Sequence, residues 1–332
     1  MKNINKDIKQ NEFKPVYLLY GNENYILDSF INKFKDAFSK NGMLSVFVYN
    51  ENNFDEEKVS FKLAENPFMC EKKIIILDKV KLFKYKNLDN IVEAINANQN
   101  INVILIIELE EDNDKNKNYK IDKRTKLYKL ISEIGYVCEC SNLNDDGLKL
   151  FIKNILESNQ KAIESTKTLF YFIEKCGNNL YNIKNELEKL ISYVGDENII
   201  TKDDIDNIVS ETVEAQVFKM IDYINKKDLN NALRLYADLV WVNYPKNQIL
   251  SLFIRNYLQI LTVIDLKDNE KTNKEIMEYM KIQNWQLENI IKSSRSYKKE
   301  DILKKLKRIN EIDIMNKTGL LDENIMIELL MI

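Results

Sequence analysis

The chain has 332 residues, 45% hydrophobic and 30% charged, which suits two or three packed domains rather than a disordered polymer. Lysine and arginine (49) nearly balance aspartate and glutamate (52); the resulting net charge of −3 excludes a globally basic nucleic-acid binder and leaves room only for a local patch. Histidine is absent, which excludes Ser-His-Asp chemistry, histidine acid–base work and histidine metal ligands.

The opening stretch MKNINKDIKQNEFK lacks the apolar centre of a signal peptide. No run of about 18 apolar residues marks a membrane span. The expectation is a cytoplasmic protein with no membrane contact. With 7 glycines and 3 prolines, elements should run long, chiefly as helices. Five short apolar runs read as strands: 16–20 (VYLLY), 46–49 (VFVY), 73–77 (KIIIL), 103–107 (VILII) and 136–140 (YVCEC). Several are continuous rather than alternating, as in strands covered on both faces. Between the first two, residues 24–40 place Leu27, Ile31, Phe34 and Phe38 on one helical face. Strand–helix alternation argues for a parallel α/β sheet in the first 140 or so residues.

Residues 16–30, VYLLYGNENYILDSF, read as strand, turn and helix, the place where a phosphate-binding loop would sit. Such a loop needs glycines that let N–H groups converge, a lysine and a hydroxyl for Mg²⁺. Here Gly21 is followed by Asn22, Glu23 and Asn24, and Glu23 repels phosphate. Asp78 after IIIL and Glu108 after VILII read as polar strand ends rather than magnesium ligands. The expectation is a nucleotide-domain architecture without a working nucleotide site, with no cofactor and no metal. Gly21 then serves the turn itself, where a positive φ is needed.

The polar run 110–126 (EEDNDKNKNYKIDKRTK) reads as a solvated loop entering a helix. Of Cys70, Cys138, Cys140 and Cys176, only Cys138 and Cys140 are close; no second pair completes a zinc site, and all four read as ordinary thiols. Just before the third strand, ENPFMCEKK sets two large apolar residues between polar neighbours. That pattern suits either an anchor for a partner or a cap on the chain's own core.

From about residue 143 the strand signals stop. Leu180, Ile183, Leu187, Leu190, Ile191 and Val194 form a stripe closed by Gly195, and Thr201 with Asp204 reads as the next helix start. Residues 213–332 read as a larger helical domain. Leu250, Phe253, Tyr257, Ile260, Leu261 and Ile264 mark one of its helices, and Leu303, Leu306, Ile309 and Ile312 another. Trp241, Tyr244 and Phe253 suit either subunit contacts or core. Residues 292–308 carry eight basic side chains against two acidic ones, either a phosphate-tracking surface or a solvated face.

Six segments in order, KPVYLLYGNENYILDSF, ENPFMCEKKIIIL, IDKRTKLYKLI, GNNLYNIKNELEKLISYVG with ITKDDI, VFKMIDYINKKDLNNALRLYADL and NKTGL, make the chain resemble the delta subunit family of the bacterial DNA polymerase III clamp loader. That resemblance implies α/β plus all-α architecture. Residues 1–142 would form an AAA+-like domain without a P-loop, 143–211 a helical lid and 212–332 a helical collar. It implies a non-catalytic subunit whose wedge, Pro67, Phe68 and Met69, binds and opens the beta sliding clamp; this chain sets Pro67 ahead of the bulky pair. The collar would join the gamma/tau and delta prime subunits. By charge alone, Lys298, Lys299, Lys304, Lys305 and Arg308 are the candidate contacts to primer–template DNA within the complex, and the resemblance adds Lys317. A nucleotide hydrolase with an atypical phosphate loop, or a helical DNA-binding adaptor, are the competing readings.

Overall fold

The five apolar runs form one parallel sheet. In the computed structural model, which describes residues 2–39, 46–68, 70–85, 88–110 and 120–331, the chain divides into two compact units, 1–143 and 144–332. The first unit runs α1 (Lys2–Gln10), β1 (Val16–Gly21), α2 (Asn24–Ser39), β2 (Val46–Asn50), α3 (Glu56–Ala64), β3 (Lys73–Asp78), α4 (Asp89–Ala97), β4 (Asn102–Leu109), α5 (Lys126–Ile134) and β5 (Tyr136–Glu139). Strand order is β2-β3-β4-β1-β5, with every pairing parallel.

β1 is buried along its whole length because helices cover both sheet faces. Val16, Leu18 and Tyr20 point to the side covered by α3, α4 and α5, where they meet Val59, Leu63, Ile91, Ile95, Leu127 and Ile131. The alternate residue Tyr17 points the other way, edge-on to Phe34 of α2. Its hydroxyl donates to Asp7 of α1 at 2.8 Å and accepts the Lys14 N–H at 2.9 Å, and burial pushes the phenol's pKa well up. α1, a helix that the apolar pattern alone does not announce, is tied down this way. The run 110–126 meets α5 at its far end, where Thr125 caps the helix by accepting the Tyr128 N–H; residues 111–119 lie outside the described residues.

The second unit contains α6 (Asp145–Ser158), β6 (Ala162–Ile163), α7 (Thr166–Cys176), α8 (Leu180–Val194), β7 (Ile199–Ile200) and α9 (Lys202–Ile208). It continues with α10 (Val213–Asn225), α11 (Leu229–Trp241), α12 (Lys246–Asp268), α13 (Asn273–Met280), α14 (Asn284–Ser294), α15 (Lys299–Lys317) and α16 (Glu323–Met326). Gly195 closes α8 with φ 53°, and Thr201 and Asp204 form a reciprocal capping box at α9. Strand pairing does not stop at residue 143: β6 and β7 pair in parallel. Two-residue strands are too short to carry a period, so no pattern marks them. Buried Lys175 joins α7 to α9, donating to the Ile205 carbonyl and to Asp206, both at 3.2 Å.

α10, α11, α12, α15 and the C-terminal turns share one core around Met220, Tyr236, Phe253, Tyr257, Ile309 and Met326. α12 is long and apolar enough, by length and composition, to cross a membrane, which the reading of apolar runs passes over. Its seam of Ile249, Leu250, Phe253, Tyr257, Ile260 and Val263 is spent on the helical core. On α15 the core stripe passes through Ile302, Ile309 and Ile312, while Leu303 is exposed. Leu303 lies 100° around the helix from Ile302, which takes the inward face at this end of α15.

Candidate functional site

The C-terminal ends of the strands are where an open α/β sheet binds its ligands. There the β1–α2 turn spends its polar groups on the protein itself. Gly21 has φ 144°, and a Cβ built on it would lie 2.3 Å from the Cys140 carbonyl oxygen. That close approach brings the Cys140 oxygen to accept the Glu23 N–H at 3.0 Å, while the Cys140 N–H donates to Tyr20 at 2.6 Å. The Asn142 N–H donates to the Asn22 side chain at 2.9 Å. The Glu23 carboxylate accepts the Tyr25 N–H at 3.1 Å, at the start of α2. A helix N-terminus favours an anion, and this one holds the chain's own carboxylate. Burial raises the Glu23 pKa, opposed by the Tyr25 bond. Beside it, the Tyr20 hydroxyl donates to Glu139 at 3.2 Å, and the Lys123 ammonium sits 5.5 Å over the Tyr20 ring.

Of the two strand-end acids, Glu108 is bonded within the fold, whereas one Asp78 oxygen is buried without a hydrogen-bond partner. Glu108 is fully buried and accepts the Leu82 N–H at 2.7 Å, capping a short turn at Leu82–Lys84. Asp78 is held toward its protonated form by burial, and the neighbouring Lys79 pairs with Asp28 at 2.8 Å. Among the described residues, no three or more His, Cys, Asp or Glu side chains converge as a metal site. All four cysteines are free thiols.

The opposite end of the sheet carries an apolar tip. α3 buries Val59 and Leu63. Phe61, two residues on from Val59 and therefore about 200° around the helix, is 73% exposed. After α3 the chain turns outward through half-buried Pro67 to Phe68, which is 62% exposed. Met69 lies outside the described residues. Phe68 is thus not a cap on its own core. Sequence reasoning missed Phe61 because an isolated aromatic in a helix reads as core; the available signal was its position opposite Val59 and Leu63.

The basic residues separate by helix face. Lys304, Lys307 and Arg308 share the exposed side of α15, and Lys298 is exposed at its start. Lys305 turns inward, 5.7 Å over the Tyr257 ring, where burial lowers its pKa. Lys299 pairs with Asp265, and Lys317 pairs with Asp313 at 2.7 Å. Of the three aromatic candidates, Phe253 is core, Tyr244 packs against that core half-buried, and Trp241 is 87% exposed at the end of α11.

Two family models match this chain. "DNA polymerase III, delta subunit" covers residues 17–141, and "DNA polymerase III delta subunit, C-terminal domain" covers 214–332. The DNA polymerase III subunit delta of Bacillus subtilis is 24% identical over 332 residues, spanning 98% of this chain and 94% of its own. A probable DNA polymerase III subunit delta of Aquifex aeolicus is 24% identical over 314 residues, spanning 91% and 86%. Among solved structures, the Bacillus subtilis DNA clamp loader delta protein (YqeN) superposes with a TM-score of 0.70 at 21% identity, covering 99% of this chain and 98% of that one.

Proposed function

Because this chain belongs to the DNA polymerase III delta subunit family, we propose that it works as the non-catalytic arm of a replicative clamp loader, binding the beta sliding clamp and opening it for loading onto primed DNA. The observation that carries this reading is the pairing of an exposed aromatic tip at Phe68 with a first turn whose Glu23 and Tyr25 N–H groups are already used by the chain. An opener shifts the clamp's equilibrium only by its differential affinity for the open form. An apolar anchor that fills a pocket favoured by the open interface supplies such a difference. In this reading residues 143–211 act as a lid. Residues 212–332 act as a collar that joins the gamma/tau and delta prime subunits, and exposed Trp241 is available to such a neighbour.

Co-purification of the full chain with the same organism's sliding clamp tests the proposal. The expected result is a stable complex in the absence of nucleotide; failure to associate at micromolar concentrations rejects it. Equilibrium dialysis with labelled ATP separates it from the hydrolase reading. No magnesium-dependent retention is expected, because the Glu23 carboxylate already occupies the helix terminus.

For DNA we propose that the outer face of α15 tracks backbone phosphates within the assembled loader. Lys304→Glu together with Arg308→Glu is expected to make the salt dependence of primed-DNA binding shallower by about two ion equivalents, roughly one per lost phosphate contact. An unchanged slope in the assembled complex removes this face from the DNA path.

A further inference from the structure

The apolar tip emerges from a helix end held by two buried polar side chains. Lys73 and Asn102 open β3 and β4 and pair in register across the sheet. Both are buried, at 2% and 1% exposure. Both reach back to the C-terminus of α3, whose last carbonyls have no partners within the helix. The Lys73 ammonium donates to the Glu65 carbonyl. The Asn102 amide donates to the Leu63 carbonyl at 2.7 Å and to Asn98 at 3.2 Å. At the surface, Lys62 pairs with the Glu65 carboxylate. Residues 65–68 therefore leave α3 from a doubly fastened point, two residues before Pro67.

The choice of lysine is informative. Burying an ammonium costs several kcal/mol unless it is paired and bonded, and an apolar side chain of similar volume would often serve stability as well or better. An ammonium at a helix C-terminus does what methionine cannot: it satisfies a stranded carbonyl and meets the negative end of the helix dipole. Asn102 repeats the arrangement one strand over, with only its amide nitrogen engaged and its Oδ1 without a partner. Two costly residues spent on one helix end indicate that the direction of the outgoing chain matters.

We propose that Lys73, seconded by Asn102, is a positioning residue that pre-orients the Pro67–Phe68 tip, so that the tip meets the clamp without first being ordered. This rests on reading that tip as the clamp-binding wedge. Preorganisation raises affinity by removing an ordering cost from the binding step. It leaves the contacts themselves unchanged.

The test measures affinity of the full chain for the organism's sliding clamp, with amide exchange over residues 65–68 as a second readout. Lys73→Met is expected to raise Kd about tenfold, the scale of a lost charge-assisted bond and its ordering effect, and to speed exchange at the tip. Lys73→Arg keeps a cationic donor and restores most of the affinity. Phe68→Ala combined with Lys73→Met binds no worse than Phe68→Ala alone, because the lysine acts only through the tip. Asn102→Ala gives a smaller loss of the same kind and serves if Lys73→Met fails to fold. Wild-type affinity in both Lys73→Met and Asn102→Ala overturns the proposal, as do losses that add in the double variant. If Phe68→Ala itself leaves binding unchanged, the wedge reading falls and the positioning role with it. If Phe68→Ala weakens binding while neither Lys73→Met nor Asn102→Ala does, the positioning role falls alone.

Discussion

Phe68→Ala together with Met69→Ala is expected to abolish clamp binding while leaving thermal unfolding within about two degrees of the parent chain. The fold has little to lose at Phe68: the side chain is 62% exposed and contributes little to the core of its unit. The interface has much to lose, because buried aromatic anchors at the centre of an interface cost about 2–4 kcal/mol each when truncated, or roughly thirty- to a thousandfold in affinity. Titration of the clamp against parent and double variant measures the loss, and circular dichroism checks the fold. Affinity within about threefold of the parent would remove the wedge assignment. A coincident collapse of the melting transition would instead place Phe68 in the structural core, against its exposure. Phe61→Ala in the same assay asks whether the second exposed aromatic broadens the contact.

The second large effect falls at the other end of the sheet. Gly21→Val is expected to destabilise the first unit by more than about 3 kcal/mol, a substantial part of the 5–15 kcal/mol that holds a typical domain together. Two penalties combine. Valine is β-branched and strongly resists φ 144°. Its Cβ would also fall 2.3 Å from the Cys140 oxygen and 2.6 Å from the Cys140 carbonyl carbon. Neither neighbour yields easily, because Cys140 is bonded through its N–H to Tyr20 and through its carbonyl to Glu23. Urea unfolding followed by tyrosine fluorescence reads the change. A midpoint unchanged from the parent would mean that the turn rearranges freely and that Gly21 has no structural duty. The same geometry answers what the glycine is for: it admits the Cys140 carbonyl just beyond β5, which takes a donor that a phosphate loop would turn toward nucleotide.

Much of the architecture is legible in local pattern. Apolar runs of four or five residues, bounded by polar stretches, announce the five strands because both faces of this sheet are covered. The stop at Gly195 and the capping box at Thr201 are equally local, since a helix end is satisfied by residues within one turn. The loss of phosphate-loop chemistry is written in composition, because no side chain elsewhere turns Glu23 into a lysine.

The functional details depended on contacts that sequence spacing does not reveal. The bond from Asn102 to Leu63 crosses 39 positions, and the approach of Cys140 to Gly21 joins the two ends of the first unit. Lys305 and Lys304 are neighbours in one basic run, yet one covers Tyr257 and the other faces solvent, because a helix turns 100° per residue against a core that only tertiary packing locates. Phe61 reads as core until Val59 and Leu63 are seen to take the inward face. By itself the amino-acid order determined which segments become strands and helices, and that the first turn carries no cation for phosphate. Only the tertiary structure decided which aromatic residues protrude and which buried polar groups bond to the end of α3. Periodicity acts over a few residues, whereas the sheet register brings distant side chains together.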